Sequence, residues 1–272
     1  MRTFTRFLAL LILPAMLNAR LPDTVQVYSK AMRKHIPALI VLPEGYNELD
    51  SLVTYPTLYM LHGYSGDHIG YYFHVPDLQK QADQYRMILV CPDGGYNSWY
   101  MDAPASTSCK FETFISSELV QFIDRKYNSR TERSSRAICG LSMGGYGAIF
   151  NAIKHPDVFG AAGSMSGCMD FVPFPLQWEL SDRLGPYLQH KKTWESYSLV
   201  GMTGQIRRDL SLIIDVGVDD FFLNVNRNFH RKLLQVGISH DYTERSGGHD
   251  WNYWANATRF QLLFFHNYFN QS

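Results

Sequence analysis

The segment "RAICGLSMGGYGAIFNAIKHP", residues 136 to 156, constrains the fold more than any other stretch. "RAIC" is a short apolar run that reads as a buried strand. "SMGGYGAIFNAIK" reads as a small-residue helix that stops before Pro156. Between them stands Ser142, flanked at G-x-S-x-G spacing by Gly140 and Gly144. A strand that enters a helix through one residue needs a sharp, strained turn. Side chains at the flanking positions of such a turn collide with neighbouring backbone, which is why glycine stands there. The turn lifts the serine hydroxyl into a cleft, and the helix aims its positive N-terminus at whatever reacts there. Gly145 and Gly147 then let the helix approach the sheet closely.

The same rhythm recurs along the chain. "TLYMLHGYSG" and "MILVCPDGG" are apolar runs ending in turn residues, and "GAAGSMSG" and "LSLIIDVG" read as two more buried strands. Residues 111 to 127 place Phe111, Phe114, Ile115, Leu119, Phe122 and Ile123 at helical spacing. "FLNVNRNFHRKLLQVG" reads as a helix, "SHDYTER" as a strand, and Trp251 to Phe269 as an aromatic terminal helix. Residues 24 to 42 alternate around "VQVYS" and "PALIVLP" and predict antiparallel strands. Short apolar strands alternating with helices predict an α/β fold: a mostly parallel sheet with helices on both faces. Residues 168–209, rich in Pro, Trp, Tyr and charge, break the rhythm and read as a cap-like insertion over the sheet. A length of 272 residues fits one large domain.

Charge narrows the partners. The chain carries 25 basic and 25 acidic residues, so nothing in its balance favours nucleic acid or an anionic membrane face. The start, "MRTFTRFLALLILPAMLNAR", has Arg2 and Arg6 followed by an apolar stretch from Phe7 to Leu17. This is the pattern of a signal peptide over residues 1–19, too short to span a bilayer. It predicts an exported protein whose single domain covers residues 20–272. An exported chain can form disulfides. Cys91 and Cys139 end apolar runs and read as small buried hydrophobes, whereas Cys109 and Cys168 lie in loop contexts and could pair; four free thiols are the alternative. The cysteine spacings match no zinc pattern.

A serine nucleophile needs a base to take its proton and a carboxylate to orient that base. In a strand-turn-helix context the chain order should be Ser, acid, His. His249, in the Gly-Gly loop of "SGGHDWNYW", sits where an exposed base belongs. His230 and His266 fall on helices and His240 begins a strand, positions that suit structural roles. The acid should follow "LSLIIDVGVDDFFL": Asp215 lies within the strand, Asp220 in the turn beyond it, and Asp219 is placed to cap the next helix. Two backbone N–H groups should hold the developing oxyanion, one from Met143 after the nucleophile and one from Tyr64 in "LHGYSG". His62 in that loop reads as a brace. Trp99, Trp178, Trp251 and Trp254 are candidates to stack on sugar or aryl rings, although tryptophan is more often core.

"LHGYSG", "CPDGGYNSWY", "GLSMGGYGA", "VGVDDFF" and "GGHDWNYW" stand in the order and approximate spacing of the putative-esterase family of α/β-hydrolases. The chain resembles that family over residues 24 to 270, a group that includes feruloyl and acetylxylan esterases, tributyrin esterases, S-formylglutathione hydrolases and mycolyltransferases. The resemblance implies an α/β-hydrolase fold with a triad of Ser142, Asp220 and His249, and oxyanion donors at Tyr64 and Met143. It also implies that Asp93, Gly94, Ser98, Trp99 and Tyr100 of the "PDGG" segment shape the site. The two adjacent aspartates leave the acid's register open, and the 168–209 insertion matches no motif of the family. The expected reaction is hydrolysis of an ester by a serine carboxylesterase, with no metal or organic cofactor. His249 must be neutral to act as the base, so activity should fall in acid. Exported relatives often act on plant cell-wall polysaccharide esters, which points to acetyl or feruloyl groups on an acylated polysaccharide or a small ester; export disfavours a cytosolic formylglutathione role. Acyl transfer to a sugar hydroxyl and a non-catalytic binding module on the same fold are the alternatives.

Overall fold

The computed structural model describes residues 22–271, so the expected signal peptide lies outside the described residues. The chain opens with strands β1 (Asp23–Ser29), β2 (Lys34–Val41) and β3 (Thr57–Leu61), then helices α1 (Gly70–His74) and α2 (Leu78–Tyr85). Strand β4 (Ile88–Pro92) leads to α3 (Phe111–Thr113), a π-helical segment (Phe114–Leu119) and α4 (Val120–Lys126). Strand β5 (Arg136–Leu141) runs into α5 (Met143–Lys154), and β6 (Ala161–Met165) into three short helices, α6 (Ser181–Leu184), α7 (Lys191–Tyr197) and α8 (Leu199–Met202). Strand β7 (Ser211–Gly217), α9 (Leu223–Gln235), β8 (Asp241–Arg245) and α10 (Trp251–Gln271) complete it.

Among the described residues eight strands form one sheet in the order β1-β2-β4-β3-β5-β6-β7-β8. β1 and β2 pair antiparallel, as does β2 with β4; every pair from β4–β3 to β7–β8 is parallel. Strands β3, β4, β5 and β6, and β7 beyond its first residue, are buried and covered on both faces, which is why they read as continuous apolar runs; the edge strand β8 is only partly buried. Alternation still sorts their side chains: Ile138 of β5 and Ile214 of β7 join one core, while Ala137, Cys139, Leu141 and Ile213 join the other. The first core contains Phe114, Ile115, Leu119 and Ile123, then Tyr146 and Ile149 of α5, and Phe229 and Leu233 of α9. The second contains Tyr71, Leu78 and Ala82, and α10 through Tyr253, Trp254, Ala257, Leu262, Phe265 and Phe269. With the buried Thr258 and Gln261 they fall along one face of α10, so one stripe of the helix is buried.

The predicted helix at 111 to 127 forms, with its middle turn widened into π geometry, where the Ser116 hydroxyl donates to the Glu112 carbonyl at 2.5 Å. The segment between β6 and β7 is anchored by buried side chains. Trp194 is fully buried and its indole N–H donates to the Gly185 carbonyl at 2.8 Å; Leu180 and Leu184 are buried beside it. The possible Cys109–Cys168 disulfide does not form. All four cysteines are free and buried, with the Cys109 thiol against the Met101 carbonyl at 3.6 Å and the Cys168 thiol against the Asp170 carbonyl at 3.3 Å. Apolar surroundings push the Cys91 thiol up to about 12, so it remains a protonated core side chain. Among the described residues no helix is long and apolar enough to cross a membrane.

α5 lies tight against the loop after β4. A Cβ added at Gly147 would stand 2.6 Å from the Tyr100 ring, which is itself buried. Replacing Gly147 with Ala forces that ring to move. The variant is expected to lose about 1–3 kcal/mol of stability, read as a lower urea midpoint with an unchanged slope.

Candidate active site

Ser142 stands between β5 and α5 with φ 54° and ψ −117°, a left-handed backbone that a serine adopts only under constraint. The constraint is close backbone packing. A Cβ at Gly140 would lie 2.3 Å from the Gly144 carbonyl, and one at Gly144 would lie 2.1 Å from the Leu61 carbonyl oxygen. Only glycine lets β5, the start of α5 and the end of β3 meet at that distance. The turn keeps the Ser142 hydroxyl at the floor of a cleft, while the residue as a whole is largely buried.

The other two groups arrive from adjacent strands. Asp220 is in the turn after β7, and its Oδ1 accepts the Phe222 N–H at 2.7 Å, which fixes the carboxylate. His249 is in the loop between β8 and α10. The two loops are tied together: the Val218 N–H donates to the Arg245 carbonyl at 2.8 Å and the Asp219 N–H to the Gly247 carbonyl at 3.0 Å. Asp250, next to His249, accepts the Tyr253 N–H at 3.1 Å and so closes the first turn of α10. The His249 ring then spans the gap. Its Nδ1 lies 2.8 Å from Asp220 Oδ2 and its Nε2 lies 2.8 Å from Ser142 Oγ. An ionised carboxylate only accepts, so Nδ1–H donates to Asp220 and Nε2 is left to accept the serine proton. The Asp220 side chain is fully buried and that of His249 is 15% exposed, so the pair is shielded while the base faces the cleft.

Asp219 does not cap the helix. It is exposed, and α9 starts without a side-chain cap at Phe222. Asp215 is fully buried, as its place inside β7 suggested, and takes the Tyr253 hydroxyl and the Arg245 guanidinium. His230 and His240 bond each other at 2.8 Å, and His266 lies on α10, so none of the three reaches the cleft.

The two backbone N–H groups expected to hold an oxyanion belong to the start of α5 and to the loop after β3. Met143 is the first residue of α5 and has no carbonyl one turn back within the helix. Tyr64 lies in the loop after β3, and among the described residues no backbone carbonyl accepts its N–H. His62 braces that loop: its Nε2 accepts the Gly94 N–H at 2.7 Å and its Nδ1 contacts the Gly63 carbonyl at 2.7 Å. Burial lowers the pKa of His62, which holds the ring neutral, as a bridge between loops requires. The "PDGG" segment thus acts on the site through His62 and through Tyr100, whose hydroxyl donates to the His62 carbonyl at 3.1 Å.

The cleft has a volume of about 330 Å³. Tyr64, Trp178, Phe221, Trp251 and Trp254 line it together with Ser142 and His249. Trp178 stacks on Phe221 at 5.8 Å and 21°, and the Phe221 ring lies 4.2 Å from that of His249. On the other side Trp251 stacks on His74 at 4.4 Å and 16°, and Trp254 meets His249 edge-on at 4.9 Å. Trp99 is not part of this lining. It is 1% exposed, packed beneath Trp178, because the loop turns it into the core through consecutive left-handed residues at 99 and 100. Phe221, Asp67 and His74 line the cleft without having been singled out in the sequence. Phe221 had a signal, its place beside the acid in "VDDFF"; Asp67 and His74 had none. The insertion is tied to the Tyr64 loop: the Tyr64 hydroxyl donates to Glu179 at 3.2 Å, the Asn97 amide donates to the same oxygen at 2.6 Å, and the Arg183 guanidinium holds Asn97. Among the described residues no group of three His, Cys, Asp or Glu is arranged to hold a metal ion.

Comparisons with known proteins give this geometry a family. The family model described as "Putative esterase" matches residues 29–262. An acetyl esterase of Caldicellulosiruptor saccharolyticus is 27% identical over 256 residues, covering 86% of this chain and 95% of that one. An esterase of Mycobacterium tuberculosis is 29% identical over 237 residues, 77% of this chain; the match spans 51% of that protein, about half its length. Among solved structures, a ferulic acid esterase superposes with a TM-score of 0.78 at 28% identity, covering 91% of this chain and 98% of that one. The chain therefore belongs to the esterase family, built on the α/β-hydrolase fold.

Proposed function

We propose that the protein is a serine carboxylic ester hydrolase in which Ser142, His249 and Asp220 form the catalytic triad. The observation that carries this is the unbroken chain of two 2.8 Å contacts from Asp220 through His249 to Ser142, opening on the cleft. His249 Nε2 takes the Ser142 proton as Oγ attacks the ester carbonyl carbon. The carbonyl oxygen, now negative, is held by the Tyr64 and Met143 N–H groups, each worth about 3–4 kcal/mol of transition-state stabilisation. Asp220 stabilises the imidazolium without taking its proton. His249 then protonates the leaving alcohol, and the acyl group stays on Ser142 until water, activated by His249, releases it as the free acid.

The substrate proposed is an acetyl or aryl (feruloyl) ester on a sugar hydroxyl. The acetyl esterase and the ferulic acid esterase among the relatives support that class. So does a cleft with an aromatic wall on either side of His249. Trp178 and Trp251 are the proposed substrate-stacking residues, and residues 168–209, which carry Trp178, the proposed cap. Export is proposed on the basic start and apolar run of residues 2 to 17.

A fluorophosphonate probe should label the wild-type protein at Ser142. Ser142→Ala, still folded, should take no label and lose more than about a thousandfold in kcat. Full esterase activity in that variant, or no label in the wild type, would sink the mechanism. Adding alcohol acceptors during turnover should leave free acid as the main product; ester transfer as the main product would make the protein an acyltransferase. Asp220→Asn should reduce kcat by about 10³–10⁴ with little change in KM, measured with a short aryl acetate. Trp178→Ala should raise KM for methyl ferulate by about three- to tenfold and leave that for the aryl acetate unchanged. Equal effects on both would remove Trp178 from acyl recognition.

A further inference from the structure

The cleft is unevenly charged. Its lining includes the carboxylate of Asp67 and no lysine or arginine. Asp67 lies three residues beyond Tyr64 and is exposed. Its Oδ1 accepts the Ile69 N–H at 3.0 Å, which closes a local turn. Among the described residues no basic side chain lies within ion-pair distance of it. A second carboxylate is bonded to the same loop. Glu179, also exposed, accepts the Tyr64 hydroxyl and the Asn97 amide, and no cation pairs with it. The nearby guanidinium, that of Arg183, is spent on Asn97. His62, at the cleft floor, accepts the Gly94 N–H and stays neutral, and His74 is stacked on Trp251. An ester entering this cleft therefore meets the uncompensated charge of Asp67, while Glu179 lies outside the lining and adds its charge from its place on the Tyr64 hydroxyl.

We propose that Asp67, seconded by Glu179, makes the cleft select esters that carry no negative charge near the scissile bond, so that the substrates are neutral or cationic esters. The inference rests on the esterase reading above and narrows it. Neutral acyl-sugars satisfy it, whereas substrates with carboxylates of their own, such as glutathione thioesters and uronate-rich chains, are disfavoured at the reaction centre. A unit charge brought beside an exposed carboxylate changes binding by about fivefold at low salt, and the effect fades as salt screens it.

Three acetate esters of similar size test it: those of 3,3-dimethylbutanol, of choline and of 3-hydroxypropanesulfonate. The wild-type kcat/KM is expected to rank choline first, the neutral ester next and the sulfonate last, with about fivefold or more between neutral and sulfonate at low ionic strength. The gap should shrink at high salt. Asp67→Asn keeps the turn, because its amide oxygen still accepts the Ile69 N–H. It should bring the sulfonate to within about twofold of the neutral ester. Glu179→Gln still accepts from Tyr64 and should narrow the gap by a smaller factor. A sulfonate ester hydrolysed as well as the neutral one by the wild type, or a gap that Asp67→Asn does not narrow, overturns the inference. A folded wild-type protein inert on all three esters overturns the esterase reading itself.

Discussion

The site depends on one contact between backbones. At Gly144 the start of α5 lies against the carbonyl of Leu61, at a spacing that excludes even a methyl group. That approach does more than admit a strained serine. It brings the end of β3, and so the loop from His62 to Gly66, directly over the first turn of α5. The loop carrying Tyr64 and the helix start carrying Met143 meet through this contact, so the proposed nucleophile and the proposed oxyanion donors are one consequence of three chain segments touching through glycine. The helix contributes its dipole without further adjustment.

The proposed base and acid are held by a different principle. β7 and β8 are adjacent parallel strands, so their C-terminal loops leave the sheet side by side. Hydrogen bonds from 218 to 245 and from 219 to 247 lock the two loops as a pair. Asp215, Arg245 and Tyr253 join β7, β8 and α10 from inside the protein. His249 is therefore placed by a rigid frame, although it sits on a loop. The cost of burying the Asp215 charge is offset by its two partners.

Much of this was legible in the sequence, and the reasons are local. The elbow at Ser142, the parallel strands and the place of His249 within reach of Ser142 follow from glycine spacing, apolar runs and turn residues in consecutive order. The fate of Trp99 did not follow, because "NSWYM" gives no sign that two residues in succession adopt left-handed backbone and turn the indole inward. Asp219 and Asp220 are equivalent in sequence; only the turn geometry, which points one outward and takes the other into a hydrogen bond with Phe222, separates them. The two loop cysteines looked available, yet each thiol already has a backbone carbonyl within reach. Asp67 and Glu179 were invisible because their significance lies in what is missing around them, a property of three-dimensional neighbours.

The turn at residues 178 and 179 has two duties facing opposite ways. Both residues adopt left-handed backbone, at φ 49° and 54°, so one side chain forms a wall of the cleft while the next grips the Tyr64 hydroxyl. A backbone shift at this turn therefore moves the Trp178 wall and the Tyr64 loop together, and Asn97 and Arg183 are the residues that hold the two in register.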